Sequence, residues 1–346
     1  MKRVYLLLCL PYAALFFSCS TKVDLYADYK EMPVIYGLLD ARADTNFIKI
    51  TRAFYAEGDA MLSAPSPDSS NYPGKLDVRL VEYCNGDSIR EIILDTITIH
   101  DKQLGVFYAP AQKLYYTTET LPNNSKTEKY SYKLKVALPD RLLTTKADLV
   151  GDDGFDVQSL AVNFSKEYFN AVPREFLFHP AINAGFYEVN MTFTFLEQRT
   201  PDADLVPRTM RWYIGRLNDF DLSSNMDMNC YIFYYRPQDF YAKLKEFLGA
   251  DTAIVGLKRY IGDYPVEVVI TAGGEELRQY IHNNDASLGF AQGDNTFSLI
   301  DGGYGVFSSR MVARRRVRLG GETVPELVRM PYWGFKFIGG RKELGP

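Results

Sequence analysis

Histidine is scarce in this chain, with three in 346 residues, and cysteine is hardly commoner, with four. His100, His179 and His282 are scattered, so the side chain that most readily moves protons at neutral pH never falls beside another in sequence. The sequence also lacks a G-x-S-x-G elbow, an H-E-x-x-H zinc helix and a G-x-x-x-x-G-K-[ST] phosphate loop. These absences exclude the familiar hydrolase, zincin and nucleotide-binding designs, and we expect no catalytic residue, no metal and no cofactor. An excess of positive charge is missing too: the formal net charge is −4. Nucleic acid is therefore not expected as a partner.

One apolar run is present, Val4 to Phe17, behind Lys2 and Arg3. It is short of the roughly 20 residues that a spanning helix needs. A charged start, an apolar middle and the small residue Ser18 describe a secretory signal over residues 1–18. Cys19 stands at the junction. A bacterial lipoprotein signal needs cysteine there, because the thiol receives diacylglycerol before cleavage and the freed amine is then acylated. Phe16-Phe17-Ser18 departs from the usual lipobox in its first two positions, and cleavage after Ser20 is the alternative. We read Cys19 as the lipidated residue, with membrane attachment through acyl chains that contribute about 0.8 kcal/mol per buried methylene.

Residues 19–31 are polar and of mixed charge, as a tether would be. With Cys9 in the signal and Cys19 acylated, Cys84 and Cys230 remain. An exported chain could pair them, but two separate buried thiols fit the spacing better, because they fall in different predicted domains.

Aromatic residues make up 14% of the chain, with 25 Tyr and 22 Phe, and such side chains favour pleated, half-buried surfaces. The reading is mainly β. "MPVIYGLLD" and "NFIKITRAF" flank the short polar "ARADT" as a hairpin, with Phe47, Lys49 and Thr51 alternating against Ile48, Ile50 and Arg52. Residues 57–73 read as a long loop. "KLDVRLVEY", an "NGD" turn and the returning strand "IREIILDTITI" follow. Tyr130, Tyr132, Leu134 and Val136 then alternate in a penultimate strand, where immunoglobulin or fibronectin type III sandwiches place a corner tyrosine. We expect such a sandwich over residues 32–150, with Tyr130 or Tyr132 at the corner.

The remainder, 155–337, reads as a second β-rich domain with one or two helices. "FYEVNMTFTFLEQ" alternates over Tyr187, Val189, Met191, Phe193 and Phe195, and "MRWYIGRL", "CYIFYY" and "VEVVITAG" are further strands. "PQDFYAKLKEFLGAD" is a helix by the spacing of Phe240, Leu244, Phe247 and Leu248, with Asp239 as its N-cap and Gly249 at its end. "EELRQYIHNN" is the second.

"YKEMPVIYGLLDARADTNFIKITRAFYAEGDAML", with "LIDGGYGVFSSR" and "WGFKF" far downstream, resembles a group of outer-membrane lipoproteins of Bacteroidota close to those filed as domain of unknown function 4249. The resemblance runs from about Asp24 to Phe337. It implies an outer-membrane address and a β-rich fold, and it assigns chemistry to no residue.

Three stretches invite chemical readings. "GDDGFD" puts Asp152, Asp153 and Asp156 in one loop, where they could hold Ca²⁺, but the twelve-residue calcium spacing is absent and an acidic linker explains them. Arg310, Arg314, Arg315, Arg316 and Arg318 could meet phosphate groups of lipid or lipopolysaccharide. Val317 and Leu319 alternate with two of them, as on a strand with one wet face, and that reading is preferred. The glycines of "LIDGGYGVFSSR" fit a tight turn into a core strand. The expected function is therefore that of a non-catalytic lipoprotein, a binding or accessory subunit of an outer-membrane transport, secretion or assembly complex with a protein partner. The alternative is a structural surface protein, an adhesin or fimbrial anchor.

Overall fold

Alternation at a period of two runs through most of the chain, and the strands it forms build two stacked sheets followed by a longer sheet edge. The computed structural model describes residues 31–53, 62, 64–66, 70–105, 108, 111–165, 173–217, 226–227, 229–284, 298–329 and 334–341. Cys19, the signal and nearly all of the tether lie outside the described residues, as does much of the predicted 57–73 loop.

Strands β1 (Met32–Leu39) and β2 (Asn46–Ala53) form the expected antiparallel hairpin, and β6 (Gln112–Thr117) and β5 (Asp95–Ile99) extend it. Facing them is a second sheet, ordered β4-β3-β7-β8, from β3 (Asp77–Cys84), β4 (Asp87–Ile93), β7 (Tyr130–Ala137) and β8 (Leu142–Asp148). Ile35, Ile48 and Ile50 of the first sheet meet Val78, Leu80, Leu134 and Val136 of the second in one core. Strands one to eight taken as A, B, C, C′, D, E, F and G give sheets A-B-E-D and C′-C-F-G, the immunoglobulin-type sandwich arrangement.

Two local expectations change. "IREIILDTITI" is two strands: β4 pairs with β3, β5 pairs with β6, and the chain crosses between sheets at buried Leu94, whose N–H donates to the Val78 carbonyl. Neither Tyr130 nor Tyr132 serves as the corner tyrosine. The Tyr132 hydroxyl donates instead to the buried Glu82 carboxylate at 2.8 Å. The corner is held by Asn124, fully buried, whose amide donates to the Leu149 carbonyl and whose oxygen accepts from the Tyr130 N–H. Gly151 packs so closely on Asn124 that a Cβ would overlap it.

Beyond residue 151 come β9 (Ala161–Val162), β10 (Arg174–Phe178), β11 (Phe186–Gln198), β12 (Val206–Leu217), β13 (Met226–Asp227), β14 (Cys230–Tyr235), β15 (Lys258–Gly273), β16 (Tyr304–Leu319) and β17 (Phe337–Arg341). Three α-helices lie among the described residues: α1 (Pro237–Leu248), α2 (Glu275–Asn284) and α3 (Thr323–Arg329), the last unforeseen. Tyr187, Val189, Met191, Phe193 and Phe195 are all buried, as the alternation requires. Phe240, Leu244 and Leu248 bury one stripe of α1 among these aromatics, and Phe240 stacks on Phe164 at 4.0 Å between ring centroids. Asp239 is not the N-cap: Arg236 holds that position without a side-chain bond, and Asp239 sits in the first turn, where a carboxylate favours the helix dipole. Gly249 does end the helix, at φ +44.

A division of the chain into two domains at 151 meets a strand that crosses it. The first part of β16, Tyr304 to Ser309, pairs in parallel with β1, and its second part, Arg310 to Val317, pairs antiparallel with β15. Phe307 therefore belongs to the sandwich core, whereas Met311, Ala313 and Val317 belong to the second core. One sheet runs β12-β11-β15-β16-β1-β2-β6-β5, and Met32–Pro346 forms a single compact unit. Gly305, at φ +107, lets β16 lie against β1, since a Cβ there would overlap the Ile35 carbonyl. "LIDGGYGVFSSR" is thus a turn into a core strand.

Candidate functional site, the outer face of the first sheet

The two outer faces of the sandwich differ in character. On β3, β4 and β7 the outward residues form a charge ladder: Arg79 pairs with Asp77 at 2.7 Å and Glu91 at 3.1 Å, and Glu91 with Lys135 at 2.9 Å. Such exposed pairs satisfy one another and mark a solvated face.

On β1, β2 and β6 the same parity points aromatics outward. Tyr36 is 44% and Phe47 43% exposed. The Phe47 ring lies 6.3 Å from that of Tyr116, and Tyr36 meets Tyr280 of α2 edge to face at 6.2 Å with the hydroxyls 3.2 Å apart. Helix α2 covers Val306 and Leu38 through Leu277 and Ile281, so it walls one side of this patch.

Toward the start of β1 the face deepens into a groove of about 550 Å³, floored by Val34, Tyr36, Lys49, Thr51 and Gln112 and rimmed by Arg52, Asn71, Lys102 and Tyr108. Its charge is one-sided, with Lys49, Arg52 and Lys102 present and no carboxylate among the described lining residues. The Lys49 ammonium donates to the Gln112 amide oxygen at 3.2 Å. Burial, and then the positive charge of Lys102, hold Lys49 below the ordinary lysine pKa. Lys102 donates to the Tyr108 carbonyl at 2.6 Å, and the Arg52 guanidinium lies over the Tyr72 ring at 5.9 Å.

The outward parity of Phe47 and Lys49 was legible in the hairpin pattern. The contributions of Lys102 and Tyr108 were not, because they come from an aperiodic segment between β5 and β6.

The other sequence candidates are dispersed. Asp152 is gripped by Arg42 and accepts from the Gly154 and Phe155 N–H groups, Asp153 pairs with Lys126 at 2.8 Å, and Asp156 pairs with Arg315 at 3.5 Å. The three carboxylates serve three different cations. Among the described residues, no group of three or more His, Cys, Asp and Glu converges as a metal site would.

Arg310, Arg314, Arg316 and Arg318 share the exposed face of β16, while Val317 is buried and Arg315 points inward, as a strand with one wet face requires. Arg318 donates to the Tyr264 hydroxyl at 2.8 Å, and Arg314 reaches Glu267 at 3.9 Å. In "CYIFYY", Tyr234 is exposed and Tyr235 buried, on a central strand of a three-stranded sheet and not at an edge.

Neither Cys84 nor Cys230 is in a disulfide; Cys230 is buried, as expected of both, but Cys84 is only half-buried. Cys230 Sγ lies 3.3 Å from His179 Nδ1, a contact that spacing in sequence did not suggest, and no carboxylate among the described residues hydrogen-bonds His179 to complete a triad. His100 and His282 are exposed.

No protein-family model and no curated protein sequence matches the chain. The likeness to the Bacteroidota lipoproteins therefore rests on the quoted strings alone.

Proposed function

We propose that this chain is a non-catalytic lipoprotein of the outer membrane, acylated on Cys19, that acts as an accessory or binding subunit of a transport, secretion or assembly complex. Its partner is a membrane protein, met by the outer face of β1, β2 and β6. The observation that carries this reading is the aromatic patch on this face, where exposed Tyr36 and Phe47 lie with Tyr116 and Tyr280. Tyrosine and phenylalanine give large contact area for few frozen torsions, and interfaces are enriched in them. The predicted tether precedes Met32, the first residue of β1, in sequence.

Metabolic labelling should place acyl chains on the wild type and none on Cys19→Ala, which should leave the membrane fraction. Affinity purification in mild detergent should recover a stoichiometric outer-membrane protein with the wild type. Phe47→Glu should lose that protein, while Lys133→Ser on the opposite sheet should retain it. Filaments in place of a complex would favour the adhesin or fimbrial alternative, and a lone monomer that turns over a polysaccharide or peptide would overturn the proposal.

A further inference from the structure

We infer that the outer face of the long sheet beyond the sandwich, over β12, β11, β15 and β16, is a docking surface for an anionic membrane, with Arg211, Arg314, Arg316 and Arg318 meeting headgroup phosphates. The inference goes beyond the protein-partner reading, which uses β1, β2 and β6, and it does not need acylation of Cys19.

Strand register fixes which residues share this face. Glu267 of β15 stands opposite Arg316 of β16 and Thr192 of β11, and Thr192 stands opposite Arg211 of β12. Two residues along, Val269 stands opposite Arg314 and Asn190, and Asn190 opposite Tyr213. The residues of the other parity, among them Met191, Phe193, Met210, Trp212 and Val268, are buried in the second core, so the arginines lie on the open side. Three strand spacings, about 14 Å, separate Arg211 from Arg316. The cations are therefore spread over a flat area and do not converge on one small anion.

Few carboxylates answer them. Arg216, on the same face, is matched by Glu188 at 3.1 Å, but Glu267 comes no closer than 3.9 Å to Arg314. The side chains of Arg211 and Arg316 make no ion pair or hydrogen bond among the described residues. Arg318 donates to the Tyr264 hydroxyl at 2.8 Å and lies over its ring at 5.0 Å, a neutral partner that leaves the charge uncompensated. On β3, β4 and β7, by contrast, Arg79 and Lys135 share Glu91.

The chain as a whole is net negative, at −4, so an anionic surface attracts it only through a face on which cations are gathered. A flat array of guanidinium groups suits a flat array of phosphates, because each planar fork can donate two hydrogen bonds to one phosphate. Tyr213, 54% exposed, and Tyr264, 46% exposed, add rings with an apolar body and a wet end, as suits a headgroup layer.

Vesicle flotation tests this. Residues 20–346, without the signal and Cys19 but with the compact unit Met32–Pro346 intact, should float with phosphatidylcholine vesicles that contain phosphatidylglycerol and not with phosphatidylcholine alone. The combined substitutions Arg211→Gln, Arg314→Gln and Arg316→Gln should weaken that partition about a hundredfold, at roughly fivefold for each arginine near the surface. Added salt should weaken the wild type. Lys129→Gln, Lys133→Gln and Lys146→Gln together, in or just before β7 and β8, remove the same charge from the sandwich and should leave partition nearly unchanged. Because neither acylation nor affinity purification of a protein partner is read here, failure of this inference leaves the proposed function to its own tests.

If the triple arginine variant misfolds, the wild type gives a second reading: phosphatidylglycerol vesicles should slow phenylglyoxal modification of Arg314 and Arg316, and phosphatidylcholine vesicles should not. Flotation that does not depend on phosphatidylglycerol, equal losses in the arginine and lysine variants, or unprotected Arg314 and Arg316 overturns the inference. Binding to polyglutamate without binding to vesicles also overturns it, by assigning the face to an acidic polypeptide.

Discussion

The sandwich and the sheet that follows it bury their interiors differently. The first core is largely aliphatic, with isoleucine, valine and leucine from two short-stranded sheets and a few tyrosines, among them Tyr115, whose hydroxyl accepts from the Leu76 N–H at 2.9 Å. The second is built on Phe164, Phe176, Phe178, Phe193, Phe195 and Phe240. It also encloses an ion pair: Arg259 is fully buried, bonded to the Glu197 carboxylate at 3.0 Å and to the Phe335 carbonyl at 2.7 Å, with Arg208 at 3.1 Å from the same carboxylate. Aliphatic side chains on short strands fill the space between the two sandwich sheets, whereas ring-sized side chains fill the core where a long sheet meets a helix and a small three-stranded sheet.

This contrast breaks most severely at the buried ion pair. Arg259→Ala leaves Glu197 without its closest cation and a void among Phe195, Phe335 and Phe337, and should cost about 3–5 kcal/mol by denaturant unfolding. Phe240→Ala removes the ring that stacks on Phe164 and meets Phe193 and Trp212, and should cost about the same, 3–5 kcal/mol. Leu134→Ala in the aliphatic core should cost about 2–5 kcal/mol. Since β16 contributes to both cores, all three should shift one common transition. A transition that splits, with Leu134→Ala moving only one part, would show that the two cores unfold independently.

A smaller effect should come from Arg42, in the turn between β1 and β2. Its guanidinium donates to Asp152, to the Phe155 carbonyl at 2.9 Å and to the Val312 carbonyl at 3.1 Å, and it lies over the Phe155 ring. It thereby ties the sandwich hairpin to the 151–156 loop and to β16. Arg42→Ala should cost about 1–3 kcal/mol, as loss of a partly buried, charge-assisted cluster does, and should increase proteolysis near residues 151–156. Unchanged cleavage there would remove Arg42 from that role.

The legible part of this molecule is what period two can carry. Ile48 and Ile50 against Phe47 and Lys49, and Tyr187 through Phe195, declared their faces because one side of each strand is buried and the other wet. Two kinds of feature were hidden. Leu94 keeps the alternation going while the chain changes sheets, so "IREIILDTITI" looks like one strand although its hydrogen bonds go to two. Long-range pairing was equally silent: nothing in Val34–Leu39 announces Tyr304–Ser309 as its neighbour, and a boundary drawn from the acidic "GDDGFD" cannot register a strand returning from residue 304. The same holds for the groove, where Lys49 was visible on its strand and Lys102 joined it only through the fold.

Tyr132 sharpens the comparison on the aliphatic side. Its hydroxyl is the polar link between the core and the Glu82–Arg90 pair, and burial together with the Glu82 carboxylate holds the phenol well above its ordinary pKa. Tyr132→Phe should cost about 1 kcal/mol, the net worth of a typical hydrogen bond, because Arg90 still satisfies Glu82. A loss as large as that of Leu134→Ala would mean that the hydroxyl organises the core and does not merely finish it.

The smallest effect lies where α2 meets the sandwich. Glu276 accepts from the Ser308 hydroxyl at 2.9 Å, yet burial, assisted by the Asp148 charge, raises its pKa above the ordinary glutamate value. A carboxyl whose folded pKa is raised favours the folded state while protonated. Its contribution is complete below the unfolded pKa and is lost as pH rises through the folded one. Glu275 in the same turn acts oppositely: hydrogen bonds from Arg278 lower its pKa, so its contribution is present above the unfolded pKa and is lost as pH falls through the folded one. Wild-type stability alone therefore mixes the two signs, and the informative quantity is the difference between Glu276→Gln and wild type across pH. Glutamine keeps an acceptor for Ser308 without the charge, so the variant should gain on the wild type as pH rises above the ordinary glutamate range. Urea unfolding of both proteins at a series of pH values reads this directly. A difference that stays flat, or that shrinks with rising pH, would mean that Glu276 is ionised at little cost and that this side of α2 is wetter than its packing against Ser308 implies.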